Sequence, residues 1–174
     1  MWILPFVAII LGVIAADQAS KLIVLAKLYE SQYQLIPDIL HFTYVENRGM
    51  AFGLLADHRW VFMLFSVLGI ALVCAYLFLF VKTRLGRVSL SLIIGGGIGN
   101  MIDRVRLGFV VDFIDFCAFP KLWTWVFNIA DAAVCIGAAL FALELIRETV
   151  HDVKAQRAAK AAAADGEKQD GRDS

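Results

Sequence analysis

The sequence predicts an all-α membrane protein with four transmembrane helices and a small β-like outer platform between helices 1 and 2. The first observation behind this prediction is composition: 60% of the 174 residues are hydrophobic, 18% are charged, and the mean hydropathy is +0.74. The second is a series of four apolar stretches separated by polar connections. A soluble domain of this length needs more polar surface than this composition supplies. The net charge of zero does not favour nucleic acid as a partner.

The apolar stretches cover residues 2–28, 60–81, 88–102 and 122–143. A helix of 22 residues is about 33 Å long, which is enough to cross a hydrocarbon core of roughly 30 Å. The first stretch lacks a basic start and its apolar character resumes after Lys21, so we interpret it as a retained helix rather than a cleaved leader. The third stretch is short and glycine-rich, and it must continue through Arg104 to reach the far side.

Basic residues predict the orientation in the membrane. Lys82, Arg84 and Arg87 crowd the short connection between the second and third stretches, and further basic residues follow the fourth. Because cytoplasmic loops carry an excess of Lys and Arg, we expect this connection and both termini in the cytoplasm. The two longer connections then face outward.

The outer connection from about residue 30 to 58 is not a plain linker. Residues 39–45 are rich in β-branched and aromatic side chains, and a turn signal, Asn47-Arg48-Gly49, follows them. This pattern predicts the platform. Residues 1–150 are therefore expected to form one membrane domain, and residues 151–174 a charged, alanine-rich cytoplasmic tail that is disordered or a solvated helix.

Acidic and amide residues interrupt the predicted helices at similar depths. Asp17 is expected roughly 20 Å from the inner side, with Asn100 at a comparable height. Asp131, nine residues into the fourth stretch, is expected about 14 Å below the outer surface. Asp112 lies in the connection between the third and fourth stretches, which can fold down to the depth of the other polar residues. Since a carboxylate inside a spanning helix costs several kcal/mol and marks function by default, the outer half of the membrane is the predicted site.

Spacing indicates which polar residues share a helix face: Asp17 with Lys21, Asn100 with Arg104, and Asn128 with Asp131. Gly95 and Gly99 form a small-xxx-small pair, which favours close helix packing over phosphate binding because no Lys-Ser/Thr follows.

Asp112 and Asp131, with amide and guanidinium neighbours, are typical of aspartic proteolysis. Two carboxyls beside one water share a proton, so that one acts as base and the other as acid. The alternative, equally open from the residues alone, is that Asp131 only accepts hydrogen bonds from its helix neighbours.

Other catalytic schemes fit less well. Ser20 and Lys21 are adjacent and point apart, so they do not form a Ser/Lys pair. The histidines are scattered and no His-Glu-x-x-His motif occurs, which argues against a metal site. The three cysteines, Cys74, Cys117 and Cys135, are interpreted as small buried hydrophobes.

Five segments resemble, in order, those of the bacterial lipoprotein signal peptidases, also called type II or prolipoprotein signal peptidases. They are Asp17-Gln18-Ala19-Ser20-Lys21, Asn47-Arg48-Gly49-Met50-Ala51-Phe52, residues 95–104 (GGGIGNMIDR), Val110-Val111-Asp112-Phe113-Ile114-Asp115 and Phe127-Asn128-Ile129-Ala130-Asp131. One such motif is weak evidence, whereas five in register are strong.

The resemblance implies an intramembrane aspartic endopeptidase of the bacterial cell inner membrane, with its active site near the periplasmic face. Asp112 and Asp131 match the catalytic pair. The positions that match site-lining or supporting residues are Asn47, Gly49, Phe52, Gly99, Asn100, Arg104, Asn128, Asp17 and Lys21. The implied substrate is a diacylglyceryl-modified prolipoprotein, cut just N-terminal to the lipidated cysteine. Membrane lipid is the other expected partner, no metal or organic cofactor is expected, and the chain is expected to act as a monomer.

The alternative function is a transporter or proton channel in which Asp17, Asp112 and Asp131 form a relay. Such a relay needs an acidic path through the whole membrane. The inner half of each predicted span lacks a carboxylate, so the path stops midway.

Overall fold

The computed structural model describes residues 3–29, 31–48, 59–118 and 125–170. Four helices carry most of these residues: α1 (Leu4–Lys27), α2 (Arg59–Leu79), α3 (Arg84–Arg106) and α4 (Ile129–Asp170). Four strands occupy the two longer connections: β1 (Gln32–Ile36) and β2 (Leu40–Asn47) between α1 and α2, and β3 (Val110–Phe116) and β4 (Val126–Phe127) between α3 and α4. The fold is therefore mostly helical with a small sheet.

Three of the described helices are long and apolar enough to cross a membrane: α1, α3 and the Ile129–Arg157 part of α4. The remaining helix, α2, contributes a shorter apolar stretch, Met63–Leu79. Large apolar side chains such as Leu64, Phe65 and Leu72 are exposed on α2, as expected of a surface that faces lipid rather than water.

The third helix lies at the centre and packs against the other three. Its glycines permit this, because a Cβ on Gly95 would lie 2.9 Å from Val13 Cβ on α1. A Cβ on Gly96 would collide with the carbonyl oxygen of Ala130 on α4. The small-xxx-small spacing thus serves helix packing, as predicted.

The four strands form one antiparallel sheet in the order β1-β2-β3-β4. Buried Val111 and Phe113 of β3 pack with Val24 near the end of α1, which fixes the sheet to the helices. The sequence prediction was incomplete here, because it built the platform only from the connection between helices 1 and 2. It also assigned Asp112 to a loop, whereas Asp112 lies in β3 opposite Val45. The pairing of β2 with β3 joins two connections that are far apart in the sequence, so no short sequence pattern predicts it.

The start of the fourth helix differs from the prediction. Val126 and Phe127 form β4, and the helix begins only at Ile129. Asn128 Oδ1 accepts the backbone N–H of Asp131 at 2.9 Å, and Asp131 Oδ2 accepts that of Asn128 at 3.3 Å. This reciprocal pair is a capping box that starts the helix. Asp131 therefore lies in the first turn of α4, and the expected position nine residues into a helix was wrong.

Residues 151–170 continue α4, which is the helical one of the two states, disordered or a solvated helix, that their composition left open. Alanine, lysine and glutamate have high intrinsic helix propensity, so this segment extends a helix that has already started.

Candidate active site

Asp112 is buried in β3 and accepts two side-chain amides. Asn47 Nδ2 lies 2.9 Å from its Oδ2, and Asn128 Nδ2 lies 2.6 Å from its Oδ1. The pKa of Asp112 is raised to about 6, chiefly by burial, with a contribution from the negative charge of Asp131, while the two amide hydrogen bonds and the charge of Lys21 oppose the rise. Asp112 thus holds a proton at higher pH than an exposed carboxyl does.

Asp131 is half-buried in the first turn of α4. Its Oδ1 accepts Asn100 Nδ2 at 2.7 Å, and its Oδ2 accepts the backbone N–H of Asn128. The positive end of the α4 dipole stabilises negative charge at this position. We call Asp112 and Asp131 the carboxylate pair.

Asn128 joins the two members of the carboxylate pair. Its Nδ2 donates to Asp112 while its Oδ1 accepts from the backbone of Asp131. The same Nδ2 lies 3.1 Å from Asn100 Oδ1, and the Asn128 side chain is fully buried. One amide therefore fixes the relative positions of β3, α3 and α4 around the pair.

Lys21 sets the orientation of Asn100. The lysine ammonium can only donate, and its Nζ lies 3.0 Å from Asn100 Oδ1. With its oxygen held by Lys21, the amide must present its nitrogen to Asp131. A charge on α1 thereby controls a hydrogen bond to the carboxylate pair.

Lys21 also pairs with two buried carboxylates. Its Nζ lies 2.9 Å from Asp17 Oδ2 and 2.9 Å from Asp103 Oδ2, and all three side chains are at most 3% exposed. Gln18 Nε2 donates to both carboxylates, at 3.2 and 3.0 Å. We call Lys21, Asp17, Asp103 and Gln18 the lysine cluster.

The lysine cluster is tied to the elements that carry the pair. Asp17 Oδ1 accepts the backbone N–H of Ala130 at 3.0 Å, next to Asp131. Asp103 Oδ2 accepts the backbone N–H of Val111 at 3.0 Å, next to Asp112. A Cβ on Gly99 would lie 2.7 Å from Asp17 Oδ2, so the glycine allows the close approach.

Arg104 and Asn100 line the polar end of a cavity of about 290 Å³ between α2, α3 and α4. The other walls are apolar and include Ile70, Val73 and Val134. The Arg104 guanidinium interacts electrostatically with Asp131 and Asp112. The cavity thus extends to Asn100, whose amide donates to Asp131.

Residues 9–147 match the family described as "Signal peptidase (SPase) II". The chain belongs to the signal peptidase II family. A lipoprotein signal peptidase of Halothermothrix orenii is 47% identical over 141 residues, which cover 79% of this chain and 92% of that relative. A lipoprotein signal peptidase of Clostridioides difficile is 42% identical over 146 residues, which cover 81% and 94%.

Two solved structures of a bacterial membrane enzyme, both obtained by the in meso method, are similar to this chain. Their TM-scores are 0.74 and 0.77 at 31% and 30% identity. The alignments cover 86% and 83% of this chain, and 92% and 94% of the solved chains. The fold is therefore shared with solved membrane enzymes over most of its length.

For this member of the signal peptidase II family, the structure brings most of the predicted site residues together. Those that lie in or against the site are Asp112, Asp131, Asn47, Asn100, Arg104, Asn128, Asp17, Lys21 and Gly99. Gly49 and Phe52 lie outside the described residues.

Sequence reasoning missed two members of the lysine cluster, Asp103 and Gln18. Asp103 was used only to extend the third helix, although an acid in a spanning helix needs a partner. It lies three residues after Asn100 and four after Gly99, so helical spacing already put it on the face that meets α1.

Glu144 is a further buried acid, which bears on whether α4 could carry a proton relay. It is 8% exposed on α4, and a Cβ on Gly86 would lie 3.9 Å from its Cγ. Asp131 precedes it by 13 positions, or about 20 Å of helix. No Asp or Glu occurs between them in α4, so a relay along this helix stays interrupted.

Proposed function

We propose that this protein is an aspartic endopeptidase that removes the signal peptide from diacylglyceryl-modified prolipoproteins by cutting N-terminal to the lipidated cysteine. The observation that carries the proposal is the carboxylate pair, two carboxyls joined by the Asn128 amide inside a membrane protein. The names of the relatives support the substrate class.

Different surroundings support different roles for the two carboxyls. Asp112 has a raised pKa because it is buried, so it supplies the proton. Asp131 lies at a helix N-terminus and beside Arg104, which both stabilise negative charge, so it serves as the base. Pairs of acids whose environments separate their proton affinities are the usual basis of such an assignment.

The cleavage step follows from these roles. Ionised Asp131 takes a proton from a water, and the water oxygen forms a bond to the carbonyl carbon of the scissile peptide. Asp112 gives its proton to the carbonyl oxygen as the tetrahedral intermediate forms. Collapse of the intermediate breaks the C–N bond, and Asp131 returns its proton to the departing amine of the lipidated cysteine. The proton that restores Asp112 comes from the intermediate's hydroxyl.

The cavity supports a lipidated substrate. Its apolar walls suit acyl chains or the apolar part of a signal peptide, while Asn100 and Arg104 suit the polar peptide at the cleavage bond. Among the described residues, the carboxylate pair and its hydrogen-bond partners lie within one chain, and the proposed active form is a monomer.

The proposed topology has four spans, with α2 crossing despite its shorter apolar stretch, and both termini in the cytoplasm of a bacterial cell. All four strands then belong to the two periplasmic connections, and the carboxylate pair lies near the periplasmic face. Lys82, Arg84 and Arg87 lie at the opposite end. Labelling of a cysteine placed at position 84 by a membrane-impermeant thiol reagent should fail in intact cells of a cysteine-free variant and succeed after lysis. Labelling in intact cells would reverse the orientation.

The decisive assay incubates the purified protein with a diacylglyceryl prolipoprotein and follows the mass of the released signal peptide. The expected product ends at the residue before the lipidated cysteine. A substrate with serine in place of that cysteine, which cannot be lipidated, is the control and should not be cut. Cleavage elsewhere, or none by well-folded protein, would refute the proposal.

A further inference from the structure

A second group of polar side chains lies on the sheet, apart from the carboxylate pair. Strand pairing sets His41 of β2 directly opposite Asp115 of β3. Cys117 follows β3, and its backbone N–H donates to Ile39 at 2.8 Å, which continues the pairing by one bond. The ligand-type atoms of these three side chains lie within 4.8 Å of one another. We call His41, Asp115 and Cys117 the sheet cluster.

The spacing of the sheet cluster suits a metal ion. Cys117 Sγ lies 3.4 Å from His41 Nδ1. Tetrahedral zinc, with bonds of about 2.3 Å to sulfur and 2.0–2.1 Å to nitrogen, separates these two ligand atoms by roughly 3.5 Å. Two of the three ligands therefore already have the separation that the ion requires, and the Asp115 carboxylate is within reach of side-chain rotation.

The histidine ring is held in place but is not fully satisfied. Gln32 Nε2 lies 3.0 Å from Nδ1, on the same edge of the ring as the cysteine sulfur. The other nitrogen, Nε2, is buried and has no hydrogen-bond partner among the described residues. A buried polar atom without a partner is costly and calls for an explanation. Coordination through Nδ1 leaves the ring proton on Nε2 and does not satisfy that atom, so the evidence for an ion is the spacing of the three ligand atoms.

The donor set selects the class of ion. One thiolate, one imidazole and one carboxylate suit zinc or a similar transition-metal ion, whereas magnesium and calcium need a shell of oxygen atoms. Three protein ligands leave a fourth position for water or for the Gln32 side chain.

We propose that the sheet cluster is a binding site for Zn²⁺ or a similar divalent transition-metal ion. Binding converts the Cys117 thiol to a metal-bound thiolate and releases its proton to solvent. Asp115 is three residues along β3 from Asp112, or about 10 Å, so the ion takes no part in the proposed peptide cleavage. It fastens β2 to β3, the two strands that carry Asn47 and Asp112.

Cobalt titration of the full-length protein tests the site. The protein is reduced, stripped with a chelator and titrated with Co²⁺, whose bond to a thiolate gives a near-ultraviolet charge-transfer band. The expected result is a band that saturates at one equivalent and is abolished by Zn²⁺. Cys117→Ser should remove the band, and His41→Ala should weaken binding by at least about a hundredfold, more than loss of an outer-shell partner costs. Mg²⁺ should not compete.

Cys135→Ser is the matched control, because Cys135 is a free cysteine exposed on α4. It should bind Co²⁺ as the wild type does. A band that persists in Cys117→Ser, or no band in the wild type at millimolar Co²⁺, would overturn the proposal.

A thermal measurement covers the case in which Cys117→Ser folds poorly. Zn²⁺ should raise the Tm of the wild type and of Cys135→Ser, since an ion that binds only the folded state stabilises it. It should not raise the Tm of Asp115→Asn or His41→Gln to the same extent. Equal shifts in all four proteins would contradict the site.

Discussion

The carboxylate pair and the lysine cluster are adjacent, and both contain two carboxyls, yet their surroundings differ in one respect. In the lysine cluster Asp17 and Asp103 share the ammonium of Lys21. In the carboxylate pair the hydrogen bonds come from asparagine side chains and a backbone N–H. A shared cation balances the charge of the carboxylates that it contacts, whereas neutral amides provide hydrogen bonds without an opposite charge. The proposed function assigns a structural role to the lysine cluster and the chemistry to the carboxylate pair.

Asn100 is the link between the two groups. It accepts from Lys21 and donates to Asp131. On the proposed function, the lysine cluster positions the pair through Asn100 and takes no part in proton transfer.

The largest effect is expected from amide substitution in the carboxylate pair. Asp112→Asn and Asp131→Asn keep the size of the side chain but cannot transfer the proton. Each should cut a diacylglyceryl prolipoprotein about 10²–10⁴ times more slowly, the usual contribution of general acid–base catalysis. Initial rates from the released-peptide assay measure this. Asp152→Asn, an exposed carboxyl on α4, is the control and should keep its activity. A near-wild-type rate for either variant of the pair would remove it from the chemistry.

Substitution in the lysine cluster should act mainly on stability. Lys21→Ala leaves Asp17 and Asp103 buried without their cation, and breaking a buried ion pair costs roughly 3–5 kcal/mol. The Tm measured in detergent and the amount of protein in the membrane should both fall, while the protein that remains folded keeps measurable activity. Lys27→Ala, one turn and a half further along α1 and exposed, should change neither. A stable but inactive Lys21→Ala would place Lys21 in the chemistry and end the distinction.

The raised pKa of Asp112 predicts how stability depends on pH. Folding favours the protonated carboxyl, so this contribution is present below pH 4 and is lost as pH rises towards 6. Asparagine does not titrate. Between pH 4 and 7, the stability of Asp112→Asn relative to wild type should therefore rise by about 3 kcal/mol, since about two pKa units are involved. Parallel Tm measurements across this range test the prediction, and a constant difference would contradict the buried, protonated state.

A smaller effect is expected where the lysine cluster meets α3. Gly99→Ala adds a Cβ against Asp17 Oδ2, and overpacking of this kind typically costs 1–3 kcal/mol. At Gly12 on α1 nothing lies within 4 Å of an added Cβ. Gly12→Ala should therefore be neutral or stabilising, by up to about 1 kcal/mol. If both substitutions changed Tm equally, the close approach of Asp17 to α3 would not be important.

Sequence reasoning identified the helices and most residues of the candidate site because both leave local signals. Apolar stretches indicate helices that enter a membrane, and acids or amides inside them must have partners. The secondary-structure elements that carry Asp112 and Asp131 were harder to predict from the sequence. Whether residues 110–116 form a loop or a strand depends on pairing with β2, more than 60 positions earlier.

The start of α4 and the sheet cluster show the same limit. Val126 and Phe127 are as apolar as a helix interior, and only their pairing with β3 makes them a strand. In the sequence, His41 is far from other metal-ligand residues. Asp115 and Cys117 become its neighbours only through strand pairing. Lys21 was predicted to pair with Asp17, but its second partner, Asp103, depends on how α1 packs against α3.

The measurement that tests the central claim most directly is the double substitution in the carboxylate pair. Single-turnover cleavage rates are compared for Asp112→Asn, Asp131→Asn and the protein carrying both. If the two carboxyls act on one water as a unit, removing the second should cost little once the first is gone, and the double variant should cut within about threefold of the slower single variant. If the two losses multiply instead, Asp112 and Asp131 act independently, and the account of a shared proton is wrong.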